Sequence, residues 1–199
     1  MDRLARRAER GPRLTLVDPR RTPLVALLEA FEPGEPDAKA FRDETLAFVR
    51  GAEHPYGRDR FAPGHVTASA FVADPEGAAV LLVAHRAIGR WIQPGGHVDP
   101  DDPDPQAAAA REAVEETGVL GLVPVGPPLL DVDVHRHPGK PGGDPPHIHF
   151  DLRFGFRAGS AVLAPTDEVA DARWVALEDW SGLERSVGRA AGALLAALT

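Results

Sequence analysis

A chain of 199 residues with 43% hydrophobic content is long enough for one enclosed core plus an extension. Its net charge of −8 argues against a broad nucleic-acid-binding face, although a local basic pocket is compatible with it. The lack of cysteine excludes disulfides and thiolate metal sites, and no apolar run approaches the ~18 residues of a membrane span.

Met1 to Arg10 is basic but has no apolar stretch of the kind a secretion signal needs, so cytoplasmic residence is the default expectation. Thr22-Pro23 ahead of Leu24, Val25, Leu27, Leu28 and Phe31 predicts a capped helix with one packing face. Glu32 to Pro36 interrupts it. Ala38, Phe41, Thr45, Phe48 and Val49 then recur at helical spacing, predicting a second helix from Asp37 to Gly51. Together they read as a helical hairpin in an extension at 1–60, covering one side of a main domain at 61–199. Substrate recognition and contact in a homodimer are the other roles open to it.

From His65 the period changes. Val66 to Ala73 and Ala78 to His85 predict two strands, joined by the turn residues Asp74-Pro75-Glu76-Gly77. His85 and Arg86 end the second strand, either to meet an anionic substrate or as ordinary surface residues. Trp91 to Gln93 predicts a short strand feeding Pro94-Gly95-Gly96, a turn that lets backbone approach another group closely. Asp99, Asp101 and Asp102 follow in an acidic loop.

The next helix is the informative one. Asp104 suits its N-cap, Pro105 its first turn and Gly118 its stop. Glu112, Glu115 and Glu116 are three and four residues apart, so they share a face. They also sit at the negative end of the helix dipole, a liability unless a cation binds them. Ligands made only of oxygen favour Mg²⁺ or Mn²⁺ over zinc. The plain alternative is a solvated acidic face, with Arg111 a surface partner of Glu115.

Beyond it, Leu129 to His135, His147 to Phe156 and Arg173 to Val175 predict three strands. A final helix carries Leu183, Val187, Ala191, Leu194 and Leu198 on one face. The loop His137 to Pro146 reads as a hairpin connection or as a lid with Lys140 near its tip. His147, His149 and Asp151 point to one side of their strand, as an ordinary polar face, a substrate-pocket lining or a transition-metal site. Asp131, Asp133 and His135 alternate in the same way, so neighbouring strands are expected to present one polar surface. Trp91, Trp174 and Trp180 read as packing residues. The element order fits an α/β/α sandwich with a mixed sheet.

Gly96, Asp102 and the run Arg111-Glu112-Ala113-Val114-Glu115-Glu116-Thr117-Gly118-Val119 resemble the box of the Nudix hydrolase family, G-x5-E-x7-R-E-U-x-E-E-x-G-U, with U a bulky aliphatic residue. Ala113 is a small stand-in for U, Asp102 replaces the first glutamate, and eight residues rather than seven separate it from Arg111. The resemblance runs from about residue 64 to the C-terminus and leaves the hairpin outside. It implies the Nudix fold and Mg²⁺- or Mn²⁺-dependent hydrolysis of a diphosphate linkage in a nucleoside-diphosphate-linked substrate. The implied metal site is Gly96 backbone, Glu112, Glu115 and Glu116, with Arg111 orienting the acids. Glu115 is the first choice for the group that takes the proton, ahead of Asp167 and Glu168. Arg86, His147 and His149 are expected to face substrate. The departure at Asp102 leaves a second reading, a nucleotide-binding sensor with little turnover. A prenyl-diphosphate isomerase on the same fold would need an active-site cysteine, which this chain lacks.

Overall fold

The computed structural model describes residues 17–86, 89–139, 142–176, 178–179 and 183–199. Lys140 and Trp180, singled out above, lie outside the described residues, as does the basic stretch from Met1 to Arg10.

The hairpin is present as α1 (Arg21–Ala30) and α2 (Pro36–Gly51). The expected Thr22 cap is absent. The helix starts one residue before it, without a side-chain cap, and Asp18 instead turns the chain by accepting from the Arg20 backbone at 2.9 Å. Pro36 opens α2, where its missing N–H costs nothing.

Eight strands form one mixed sheet: β1 (Gly64–Ala73), β2 (Ala79–His85), β3 (Arg90–Ile92), β4 (Gly95–His97), β5 (Val123–Pro124), β6 (Asp131–His137), β7 (His147–Arg157) and β8 (Ala172–Ala176). β1 and β7 run parallel over ten registered pairs and form its spine. β4 and β5 are too short for any sequence period to announce. β1 pairs with β2 near one end and with β4 in its middle. That split brings the glycine turn beside the centre of the sheet.

Period-two alternation decides what each face meets. Val66, Ala68, Ala70 and Val72 of β1 and Phe150, Leu152, Phe154 and Phe156 of β7 pack under α3 (Pro105–Thr117), through Ala108, Ala109 and Ala113. The hairpin extends this layer through Leu24, Leu28 and Val49, and Phe48 stacks on Phe150 at 4.1 Å. On the opposite face Phe71, Ala73, Val80 and Leu82 meet Val187, Ala190, Ala191 and Leu194 of α4 (Arg185–Leu198). The result is the expected α/β/α sandwich with a mixed sheet. Leu183, placed on the last helix by its spacing, precedes it.

The face that α4 covers turns polar towards one end. His65, Thr67 and Ser69 of β1, His147, His149, Asp151 and Arg153 of β7, and Asp131, Asp133, His135 and His137 of β6 lie in register across three strands. The expectation of one shared polar surface holds.

Candidate active site

Helix α3 is fixed at both ends by local chemistry. Asp104 accepts from the Ala107 backbone at 2.8 Å, and Gly118 takes the left-handed conformation, φ 66°, that ends the helix. Local chemistry therefore fixes where along the helix its acids fall. Glu116 is buried, Glu112 nearly so, and Glu115 is half exposed, with 49% of its side chain accessible.

The glycine turn lies against these acids. A β-carbon on Gly96 would come within 2.7 Å of the Glu112 carboxylate and push that side chain aside. The Gly95 N–H donates to Glu116 Oε2 at 3.1 Å. Burial still dominates at Glu116 and pushes its carboxyl up to about 7, against the pull of that hydrogen bond. Burial also raises Glu112.

Arg111 is the cation among them. Its Nη1 donates to Glu112 at 3.0 Å and Glu115 at 2.8 Å, while Nη2 reaches the His97 carbonyl at 3.0 Å. The same guanidinium makes a two-point bond with Asp102, at 3.0 and 2.8 Å. Asp102 is thus occupied in holding the arginine and in accepting from the Asp99 backbone at 2.8 Å. The loop is pinned from outside by Arg20, which donates to the carbonyls of Asp99 and Asp102 at 2.7 and 2.9 Å. Asp101, which the sequence carried towards the helix, is exposed.

These groups form one wall of a cavity of about 810 Å³. Its other lining includes Thr67, Ser69, Gln93, His97, His135, His137 and His149, with Arg58, His85, Arg86 and Glu168 at the rim. Arg86 also donates to the Asp167 carbonyl at 3.1 Å. His149 reaches the cavity. His147 does not form part of its wall: it is buried behind, with Phe61 tilted against it at 5.1 Å. Asp151 departs from the role of metal ligand, because Arg153, Thr67 and Ser69 all bond it within 3.1 Å. Of the two later acids weighed as bases, Glu168 lines the cavity and Asp167 does not.

Several site residues gave no usable signal in the sequence. Thr67, Ser69 and Gln93 are ordinary strand residues until the sheet places them here. Arg153, fully buried among Asp131, Asp133 and Asp151 at 3.1–3.2 Å, reads in sequence as one more charge on a strand. Trp91 and Trp174 do pack, Trp91 beneath Arg173 at 4.0 Å and Trp174 donating to the Ala161 carbonyl at 2.8 Å.

Among the described residues no helix is long and apolar enough to cross a membrane. The chain is similar to the putative 8-oxo-dGTP diphosphatase of Bacillus subtilis (strain 168), with 31% identity over 100 residues, 50% of this chain and 59% of that one. It is similar to diphosphoinositol polyphosphate phosphohydrolase 2 of Rattus norvegicus, with 43% identity over 51 residues, 26% of this chain and 28% of the relative. It therefore spans less than two thirds of either relative. Among solved structures, a C. elegans Ap4A hydrolase binary complex aligns with 67% of this chain and 96% of its own, at 21% identity and TM-score 0.49. The family model for the NUDIX domain matches residues 63–196, which include the glycine turn, the acidic helix and every described strand of the sheet, and the chain belongs to that family.

Proposed function

We propose that this chain is a divalent-cation-dependent hydrolase that cleaves a diphosphate linkage in a nucleoside-diphosphate-linked substrate. The observation that carries the reading is the acid wall itself. Glu112 and Glu116 are held out of water against Gly95 and Gly96, and a single arginine is shared among Glu112, Glu115 and Asp102. Buried carboxylates with so little cationic support call for a dication. The donor set, carboxylates beside backbone of Gly96, is hard oxygen and fits Mg²⁺ or Mn²⁺. Glu112, Glu115, Glu116 and the Gly96 carbonyl would hold the ion, which when bound neutralises diphosphate oxygens and acidifies water.

The chain's own residues supply the rest. Arg111 positions the acids by tying the helix to the loop. Glu115, the most accessible of the three, takes the proton from the attacking water. Arg86 and His149 face the substrate across the cavity, and His147 supports His149 from behind. Residues 61–199 form the catalytic unit on this reading, and the extension at 1–60 covers it. The relatives' named substrates, 8-oxo-dGTP, a diphosphoinositol polyphosphate and Ap4A, define a panel of probes.

The test is phosphate or nucleotide release from that panel, extended with nucleotide sugars, in the presence of Mg²⁺. Parent protein and Glu115→Gln are compared. Turnover by the parent, reduced in Glu115→Gln, is expected. Tight binding of one compound with no release by either protein would instead establish a nucleotide sensor.

A further inference from the structure

Opposite the acids stands a cluster of which the proposed hydrolysis uses only His149 and its neighbour His147. Six histidines, His65, His97, His135, His137, His147 and His149, come from four strands and meet with ring centroids 4.7–6.1 Å apart. Sheet register brings them together: His65 pairs with His149, His149 with His135, and His137 with His147. His97 pairs with Thr67, one step along the same face.

Two trios have ligand nitrogens within 4.8 Å of one another: His65, His97 and His149, and His137, His147 and His149. Two features distinguish His65 from a core histidine with a satisfied ring. Its Nδ1 lies 3.2 Å from the Arg60 carbonyl, as that of His147 lies 2.7 Å from the Pro145 carbonyl. A carbonyl only accepts, so each Nδ1 carries the proton and each Nε2 keeps its lone pair; that of His147 meets His149 Nε2 at 2.9 Å, whereas that of His65 is unshared. A backbone carbonyl behind the ring is the outer support that metal-binding histidines commonly have. The Nε2 of His65, on a residue with no solvent exposure, has no hydrogen-bond partner at all. Leaving such a group unsatisfied is costly unless something else binds it.

We propose that this cluster is a transition-metal site, in which His65, His97 and His149 hold one divalent ion of the zinc class. The set is imidazole only, which suits Zn²⁺, Co²⁺ or Ni²⁺ and is poor for Mg²⁺. Three protein ligands leave a fourth position open, on the side where His97 and His149 line the cavity. The two walls of the cavity thereby sort cations by ligand type, hard ions to the carboxylates and borderline ions to the imidazoles. The site shares His149 with the proposed hydrolysis but rests on the histidine geometry alone.

The test uses the full chain stripped with a chelator and titrated with Co²⁺ in millimolar Mg²⁺, read by visible absorption, with Zn²⁺ as competitor. Absorption of the strength given by four- or five-coordinate cobalt is expected, displaced by Zn²⁺ and unaffected by Mg²⁺. Affinity should fall at least about tenfold in His149→Gln and in His65→Asn, since losing a ligand should cost no less than losing its outer support. The combined variant Glu112→Gln, Glu115→Gln, Glu116→Gln should retain it. Displacement of cobalt from the unmodified chain by Mg²⁺ would overturn the proposal without any variant. So would unchanged binding in His149→Gln, or loss in the carboxylate variant. Loss in His147→Asn with full binding in His65→Asn would overturn the assignment of His65, moving the ion to the neighbouring trio.

Discussion

The two walls of the cavity are built in opposite ways. The acid wall comes from one helical turn and one glycine turn, so its groups are neighbours in sequence, and capping at Asp104 and Gly118 sets their spacing. The histidine wall, with His65 and His147 behind it, is assembled from β1, β4, β6 and β7, whose members lie up to 84 positions apart, as in the pair His65 and His149. Between them runs a buried network in which Asp131, Asp133 and Asp151 are matched by Arg153 and Arg189. Among the described residues the acids on the helix share Arg111 alone, whereas each strand acid is paired with Arg153, Arg189 or both. Similar residues therefore carry different work: uncompensated carboxylates are fit to take up a cation, and compensated ones hold strands together.

That contrast can be broken most strongly at the acid wall. Glu112→Gln removes a charge without changing shape, and turnover with Mg²⁺ should fall on the order of 10²–10³-fold with the far-ultraviolet dichroism unchanged. Equal activity of the two proteins would separate the acids from the reaction. Arg153→Ala attacks the other class. It removes a buried cation shared by three aspartates, leaving Asp131 and Asp133 with Arg189 and Asp151 with Thr67 and Ser69, so unfolding in denaturant should show a loss of about 3–5 kcal/mol. A loss no larger than that of an exposed arginine would mean the network contributes little.

The difference in compensation also has a sign in pH. Glu116 titrates at about 7 when folded against an ordinary 4.5, so the folded chain holds a proton that the unfolded chain has released between those values. Its contribution favours folding below about 4.5 and is lost as pH rises through about 7. In chelator, the melting temperature of the parent should therefore fall relative to Glu116→Gln between pH 5 and pH 8, roughly the window those values bound, and Mg²⁺ at pH 8 should reverse the fall. Parallel curves for the two proteins would show that Glu116 is not strained by burial. The smallest effect is expected at the joint between hairpin and loop. Arg20→Ala deletes two bonds to backbone carbonyls and should cost about 1–2 kcal/mol in stability, with a milder loss of turnover through the loosened Asp99–Asp102 loop.

What was legible beforehand followed from local rules. Helix α3, its caps and the shared face of Glu112, Glu115 and Glu116 are all set within a few residues, as are the strand period at His147, His149 and Asp151 and the two helices before residue 52. The Thr22 cap misled because Thr-Pro is an equally good pair inside a first turn, and Asp18 took over the turn. Asp102 was visible as a departure but not as the partner of Arg111. That bond closes a loop whose path depends on Arg20 and on the sheet.

The amino-acid order by itself determined the acid cluster, its glycine counterpart and the alternation that makes one strand face polar, because helical and extended backbones repeat every few residues. Only the tertiary structure decided which polar groups are neutralised and which are left wanting a cation, and that histidines from four strands share one corner. Charge compensation and ligand convergence depend on distances across the sheet, and register alone sets those.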